Sequence, residues 1–145
     1  SLGAFNAQLA AVHACTWPEA ARADALLLFT TSEGIEDIAT TGAFARAFGV
    51  DRQLRRKGWT ADRLRRWRPL TDPVASPACG PESVFMVLGS EDTIAPFKHG
   101  IGIARRWGVP DAQVYVRPQG HFSVPAGLMA DEAPVIAFAR HLKER

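Results

Sequence analysis

The sequence predicts an α/β fold, a three-layer αβα arrangement with parallel strands and a helical insertion. Three short apolar runs, at residues 25–30, 83–88 and 113–117, have the composition of buried strands. Segments with helical spacing of apolar residues separate and follow these runs, and such alternation is typical of a parallel sheet with right-handed crossovers. The chain has 145 residues, 47% hydrophobic and 22% charged, which suffices for one globular core.

Residues 1–32 predict a helix followed by the first strand. The segment 3–14 is rich in alanine and places Phe5, Leu9 and Val12 near one helical face. The continuous apolar run that follows, at residues 25–30, is typical of a strand that is buried on both faces. We therefore expect this strand to lie inside the sheet.

Residues 33–80 predict a helical insertion. Helical segments at residues 35–48 and 62–67 alternate there with glycines and prolines. The insertion carries a basic cluster with two interleaved tryptophans and a single acidic residue. Its members are Arg52, Arg55, Arg56, Lys57, Trp59, Asp62, Arg63, Arg65, Arg66, Trp67 and Arg68.

The basic cluster has two interpretations. It could favour anionic substrates or an acidic membrane surface. It could instead be a solvated face whose arginine stems cover the tryptophans, and we favour this second interpretation. The net charge of +2 and the lack of a recognisable module argue against nucleic acid as a partner.

Residues 81–145 predict the last two strands and two helices. The second strand ends at Gly89, Pro96 suits the first turn of the next helix, and Gly108 ends that helix. An amphipathic helix then spans about residues 131–143. Its apolar side chains are expected to face inward. They are Val135, Ile136, Phe138 and Leu142.

Asp92 and His121 are the strongest candidates for catalysis. They follow the second and third strands, and the carboxyl ends of parallel strands lie at one edge of a sheet. A carboxylate there would fix the tautomer of the imidazole and stabilise its cation. Gly120 is expected to leave room for the ring. Alternatively, Asp92 caps the helix that begins near Pro96 and His121 is a structural histidine at a strand end.

Other polar residues are weaker candidates. Glu91 is the rival for the acid. His13, His99 and His141 have no evident partner in the sequence and are interpreted as structural or solvated. No two histidines have the spacing of metal ligands, so neither a metal nor another cofactor is expected.

The run from Gly89 to Pro96, followed by a helix, a strand and Gly120-His121, resembles the last third of α/β-hydrolases. Ser1-Leu2-Gly3-Ala4 is similar to the second half of the nucleophile elbow, Gly-x-Ser-x-Gly. The late Gly-His also resembles the group around α/β-hydrolase domain-containing protein 18, although Leu2 and Ala4 replace the Met and the last Gly of its elbow. The resemblance covers the whole chain and puts residues 33–80 in the position of the family's cap.

The resemblance implies a serine hydrolase that cleaves an ester, thioester or amide bond of a small acyl substrate. Ser1 would be the nucleophile, Gly3 the second elbow glycine, and the backbone N–H of Leu2 an oxyanion donor. With Asp92 and His121, Ser1 would complete a catalytic triad. Glu33 and Asp37 lie where some family members place the acid.

The resemblance also implies that these are the last three strands of a longer sheet. The edge of the first strand would then be covered by a missing N-terminal half or by a partner chain, and the piece alone would be inactive. The alternative function is a non-catalytic binding protein that uses the basic insertion. A self-processed N-terminal nucleophile hydrolase is disfavoured because that fold is an antiparallel sandwich.

Cysteine usage and hydropathy bear on location. Cys15 and Cys79 match no metal spacing and are expected to be free thiols of a reducing, cytoplasmic compartment. No run approaches the roughly 18 apolar residues that a membrane-spanning helix needs. A transmembrane segment is therefore not expected.

Overall fold

A parallel three-stranded sheet forms the centre of the molecule. The structure, a computed structural model, describes residues 2–68 and 75–145. The strands are β1 (Leu26–Phe29), β2 (Val84–Gly89) and β3 (Val114–Arg117), in the order β1-β2-β3. The chain thus has a mixed α/β fold with parallel strands, as the sequence predicts.

Helices precede, connect and follow the strands. In the described ranges they are α1 (Leu2–His13), α2 (Ile35–Thr41), α3 (Ala43–Ala47), α4 (Val50–Arg56), α5 (Ala61–Arg65), α6 (Phe97–Trp107), α7 (Ser123–Ala126) and α8 (Ala133–Lys143). Helices α2 to α5 belong to the predicted insertion. Gly108, with φ of 71°, ends α6 at the predicted position because glycine adopts the left-handed conformation without strain.

One face of the sheet carries the main core. Leu28, Met86 and Leu88 point to this face and are almost completely buried. Val12 of α1 and Ile103 of α6 belong to the same cluster. The small side chains of α1 permit this close approach to the strands. Its fully buried face is formed by Gln8, Ala11 and Val12, whereas Phe5 and Leu9 are only partly buried.

Helix α8 covers part of the opposite face. Phe85 of β2 makes edge-to-face contacts with Phe138 and His141 of α8, at centroid distances of 5.6 and 5.4 Å. The ring of His141 also lies within hydrogen-bond distance of the Ser83 hydroxyl. Helices therefore lie on both faces of the sheet, which gives the αβα layering in coarse form.

The opposite face is less completely covered than the sequence predicts. In β1 only Leu26 and Leu28 are buried, so the expectation that both faces of this strand are buried is wrong. The expectation for α8 is also wrong in part, because Val135, Ile136 and Leu142 are exposed. Both predictions were based on the apolar content of the segments alone. The three described strands form a surface that is too narrow to bury the whole apolar face of α8.

The insertion differs in detail from its prediction. The segment predicted as one helix, residues 35–48, is divided at Gly42 into α2 and α3. A Cβ at Gly42 would overlap the carbonyl oxygen of Ile38, so the chain can bend this sharply only at glycine. The end of the insertion is attached to α1 by a hydrogen bond from the Ala78 amide to the Ala11 carbonyl.

Strand β1 lies at an edge of the described sheet. It pairs with β2, and residues 2–68 and 75–145 provide no strand for its other side. The expectation that a further strand covers this edge stays a prediction. In the same ranges, none of the helices combines the length and the apolar character that crossing a bilayer requires.

Candidate active site

Asp92 and His121 lie in contact at the carboxyl end of the sheet. The Nδ1 atom of His121 is 2.8 Å from Oδ2 of Asp92, and the two residues are only 7% and 6% exposed. Because the carboxylate accepts a hydrogen bond at Nδ1, it favours the tautomer that leaves Nε2 free to take up a proton. The arrangement therefore has the geometry of an oriented general base.

The second oxygen of Asp92 organises its own loop. Oδ1 accepts hydrogen bonds from the backbone amides of Ile94 and Ala95, at 2.9 and 2.8 Å. Thus Asp92 both closes the turn before α6 and binds His121, and the two interpretations of this residue are compatible. Three hydrogen bonds hold the carboxylate in one orientation.

Gly89 allows the two loops to approach each other. The Ser90 amide donates to the carbonyl of Arg117 at 2.8 Å, and the Glu91 amide donates to that of Gln119 at 3.3 Å. A Cβ at Gly89 would overlap the carbonyl oxygen of Gln119 and lie 2.8 Å from Cγ2 of Val124. The glycine at the end of β2 therefore makes space for the backbone that leads to His121.

Gly120, which precedes His121, lies in a less crowded position than Gly89. A Cβ at this position would make ordinary contacts, 3.8 Å from the Glu91 carbonyl oxygen and 3.9 Å from Oγ of Ser123. The expectation that glycine leaves room for the imidazole of its neighbour His121 stays a prediction. Close packing between the two loops is relieved at Gly89.

Arg117 supports the histidine loop and was missed by the sequence analysis. Its guanidinium, buried at the end of β3, donates to the carbonyl and carboxylate of Asp131, at 2.6 and 3.0 Å. It also donates to the Val124 carbonyl at 3.5 Å. These bonds connect both ends of the loop that contains His121. The sequence signal for this residue is an arginine at the end of an apolar strand. Because arginines at strand ends are also common on protein surfaces, this signal does not identify a buried arginine.

A cavity of about 420 Å³ lies beside His121. Its lining comes from α1, from the end of β1, from the insertion and from the loops of the candidate pair. The described residues of the lining are Leu2, Phe5, Thr30, Ser32, Ile35, Ile38, Phe44, Ile94, Ala95, His121 and Phe122. Phe122 also contacts the imidazole edge to face, at a centroid distance of 5.2 Å. A molecule bound in this cavity would contact the imidazole ring of His121.

The cavity wall at the end of β1 contains a strained residue. Thr30 has φ of 47°, a conformation that is rare for a β-branched side chain and is found mainly where the surrounding structure enforces it. Next to it, Oγ1 of Thr31 donates to Oε1 of Gln8 at 2.7 Å, and Nε2 of Gln8 donates to the Ser32 carbonyl at 3.0 Å. Gln8, which the sequence analysis also missed, thus attaches α1 to this loop.

The residues of the predicted nucleophile elbow lie near the cavity or outside the described residues. Ser1 lies outside the described residues. Leu2 begins α1 and lines the cavity, so the amide end of this helix is on the side of the candidate pair. Gly3 lies in the first turn, where a Cβ would contact nothing within 4 Å. The described residues give no steric reason for a glycine there. The catalytic functions assigned to these residues remain predictions.

The rival acids lie outside the candidate pair. Glu91 is exposed, Glu33 forms an ion pair with Arg106, and Asp37 lies 3.5 Å from Arg65. The other histidines also lie outside the pair. His13 is exposed, His99 packs beside Gly34, and His141 has the contacts with β2 described above. Among the residues described, no group of acids, histidines and cysteines could hold a metal ion.

Among the residues that the structure describes, four of the eight basic residues of the cluster contact acidic or aromatic side chains within the insertion. Arg68 forms an ion pair with Glu36, a carboxylate with no exposure, and Arg65 lies 4.0 Å from the same group. Arg55 pairs with the buried Asp51. The guanidinium of Arg63 lies 4.4 Å from the centre of the Trp59 ring. These contacts favour a structural function for much of the cluster, in agreement with the interpretation that arginines cover a tryptophan.

Comparisons with known proteins identify no relative. No family model, no curated protein and no solved structure matches the chain. The functional conclusion therefore depends on the geometry of the residues described above.

Proposed function

We propose that the chain contains the acid and the base of a serine hydrolase of the α/β-hydrolase superfamily, acting on an ester, thioester or amide. The observation that carries this proposal is the 2.8 Å contact between Asp92 and a buried His121 that also lines a cavity. Strand order supports it, because the acid follows β2 and the histidine follows the adjacent β3. The α/β-hydrolase pattern has the same succession.

The pair has the properties of a general base. Asp92 holds the proton of the imidazole on Nδ1, so Nε2 can accept a proton from a nucleophile. As the imidazole becomes positive, the adjacent carboxylate stabilises it. The low exposure of both residues strengthens this interaction, since little water screens it.

The proposed nucleophile is Ser1. In the acylation step its hydroxyl proton passes to Nε2 of His121, its oxygen bonds to the substrate carbonyl carbon, and the bond to the leaving group breaks. The leaving group takes the proton from Nε2. Water then repeats the sequence and releases the acid product and Ser1. The backbone N–H of Leu2, at the positive end of α1, is the proposed oxyanion donor.

Ser32 provides a useful comparison because its side chain also lines the cavity. Its hydroxyl donates to the carbonyl of Glu33 at 2.9 Å. A hydroxyl committed to a backbone carbonyl is less suited to attack. The proposal therefore distinguishes Ser1 from Ser32 as the reactive position.

Labelling with a fluorophosphonate probe tests the proposal on the intact, folded protein. A reactive serine displaces fluoride and forms a phosphonate ester, which peptide mass spectrometry locates. We expect the label on Ser1, and expect it to disappear in Ser1→Ala and in His121→Ala. Ser123→Ala is the matched control, because this exposed serine is near His121 in sequence and donates to the Gly120 carbonyl. Label on Ser32, or none on folded protein, would refute the assignment.

The alternative, a non-catalytic protein that binds through the basic insertion, receives less support. Arg55, Arg65 and Arg68 are already paired with acidic residues of the insertion. The oriented histidine would have no function in such a protein. This alternative would be favoured if charge reversal at Arg65 and Arg66 abolished binding of the partner while His121→Ala left that binding unchanged.

A further inference from the structure

The lining of the cavity beside His121 is almost entirely apolar. Among the described residues it includes three polar side chains, those of Thr30, Ser32 and His121, and no aspartate, glutamate, lysine or arginine. A charged group in such a cavity would lose much of its hydration, and the described lining offers it no carboxylate, ammonium or guanidinium as a partner. An apolar chain would instead gain binding free energy with each methylene that it buries, about fourfold in affinity.

None of the described basic residues of the insertion lines this cavity. Arg52 and Arg56 line a separate groove of about 270 Å³ with Phe48, and the described lining residues of this groove do not include any of those that line the cavity. Arg65 and Arg68 contact Glu36. The insertion thus separates its charged surface from the apolar side chains that it contributes beside His121.

Helix α2 connects these two surfaces. Ile35 and Ile38 line the cavity, whereas Glu36, between them in sequence, is completely buried and paired with Arg68. Phe44 of α3 completes this wall and stacks at 4.4 Å on Phe48. The insertion therefore forms one apolar wall of the cavity, while the ion pair holds α2 in place.

On this basis we propose that the site selects a neutral, apolar acyl or alkyl chain, and that Ile35 and Phe44 are specificity-determining residues. This specificity rests on the proposed hydrolase function, and the preference for a neutral chain follows from the apolar lining of the cavity. The carbonyl at the end of such a chain would lie near His121. An anionic substrate group would have to remain outside the cavity.

Direct binding tests the inference without turnover. The neutral fluorophore N-phenyl-1-naphthylamine is bound to the intact Ser1→Ala protein, which the proposed function predicts to be unable to hydrolyse the ester, and is displaced by methyl octanoate or by octanoate, which differ in charge. We expect the ester to displace it at a concentration at least about tenfold lower, because the carboxylate must be desolvated. Methyl butanoate should be weaker than methyl octanoate. Equal displacement by octanoate and its ester would overturn the inference.

Variants of the lining residues test whether methyl octanoate binds in this cavity. Ile35→Trp should fill it and reduce the affinity for methyl octanoate at least about tenfold. Phe44→Ala provides a second test, because Phe44 is 42% exposed and its truncation should preserve the fold. It should weaken binding of the octyl chain by several-fold. Met129→Trp is the matched control, since Met129 is 92% exposed and outside the lining. Unchanged binding in both cavity variants would overturn the inference.

The two proposals fail in different ways. Binding of methyl octanoate that depends on Ile35 and Phe44 supports the inference even if the fluorophosphonate labels no serine, and in that case only the hydrolase proposal fails. Labelling of Ser1 in a protein that prefers octanoate supports the hydrolase and overturns the apolar specificity.

Discussion

Oδ2 of Asp92 lies 2.8 Å from Nδ1 of His121, and Oδ1 of the same carboxylate accepts two backbone amides. The carboxylate is therefore shared between the turn before α6 and the histidine. Substitutions at Asp92 should separate these two functions.

Asp92→Asn should abolish catalysis with little loss of stability. The amide retains an oxygen for the turn, but its NH2 group cannot accept the proton on Nδ1, so the imidazole changes tautomer. We expect kcat of the intact protein to fall by about 10⁴-fold, as in other oriented Asp–His pairs. Esterase assays with methyl octanoate measure the effect. Glu91→Gln, at the exposed neighbouring acid, should retain activity, and the opposite result would assign the acid to Glu91.

Asp92→Ala should additionally destabilise the protein. Loss of the acceptor leaves the amides of Ile94 and Ala95 without their partner, and the latter bond is buried. We expect the free energy of unfolding to fall by about 1–3 kcal/mol relative to the Asn variant. Urea unfolding of both variants measures the difference. Equal stability would show that the turn does not depend on the carboxylate.

Gly89→Ala should damage both the sheet and the site. The added Cβ meets the Gln119 carbonyl, a backbone atom that cannot move away independently. We expect a destabilisation of about 1–3 kcal/mol, together with a loss of activity as the His121 loop is displaced from Asp92. Gly120→Ala is the matched control, since its Cβ would make only ordinary contacts. Thermal unfolding and esterase assays of the two variants measure the effects. A larger loss of stability and activity in Gly120→Ala than in Gly89→Ala would contradict this prediction.

Arg68→Ala should destabilise the insertion by about 1–3 kcal/mol. Among the described residues, it leaves the fully buried carboxylate of Glu36 with the more distant cation of Arg65, at 4.0 Å, and the half exposure of Arg68 limits the loss. The double variant Glu36→Gln/Arg68→Ala should recover part of this loss, because the buried charge is then absent. Urea unfolding of both variants is the measurement. Additive effects would show that the pair does not interact.

Cys79 should react more slowly with iodoacetamide than Cys15. Burial raises the pKa of the Cys79 thiol above its ordinary value of 9.0, so less thiolate is present at about pH 8. Cys15 is exposed. Because the folded state holds the Cys79 proton more tightly, this contribution to stability is complete below pH 9.0 and decreases as the pH rises above it. Peptide mass spectrometry after timed alkylation measures both rates. Faster labelling of Cys79 in folded protein would contradict its burial.

The amino-acid sequence was sufficient to predict the strands and the order of the candidate pair along the chain. Apolar runs bounded by glycine and proline predict β2 and β3 closely, and Asp92 and His121 follow them in order. Local composition suffices for such features because strand formation and turn chemistry depend on neighbouring residues.

Which side chains come into contact, in contrast, depends on the packing of elements that are distant in the chain. The contact between Asp92 and His121 depends on the register of β2 with β3 and on close packing at Gly89. The position of Gln8 under the β1 loop and the exposure of Val135 depend on how helices cover the sheet. The apolar cavity joins segments far apart in the chain, so its chemistry emerges only when long-range packing brings Ile35 beside His121.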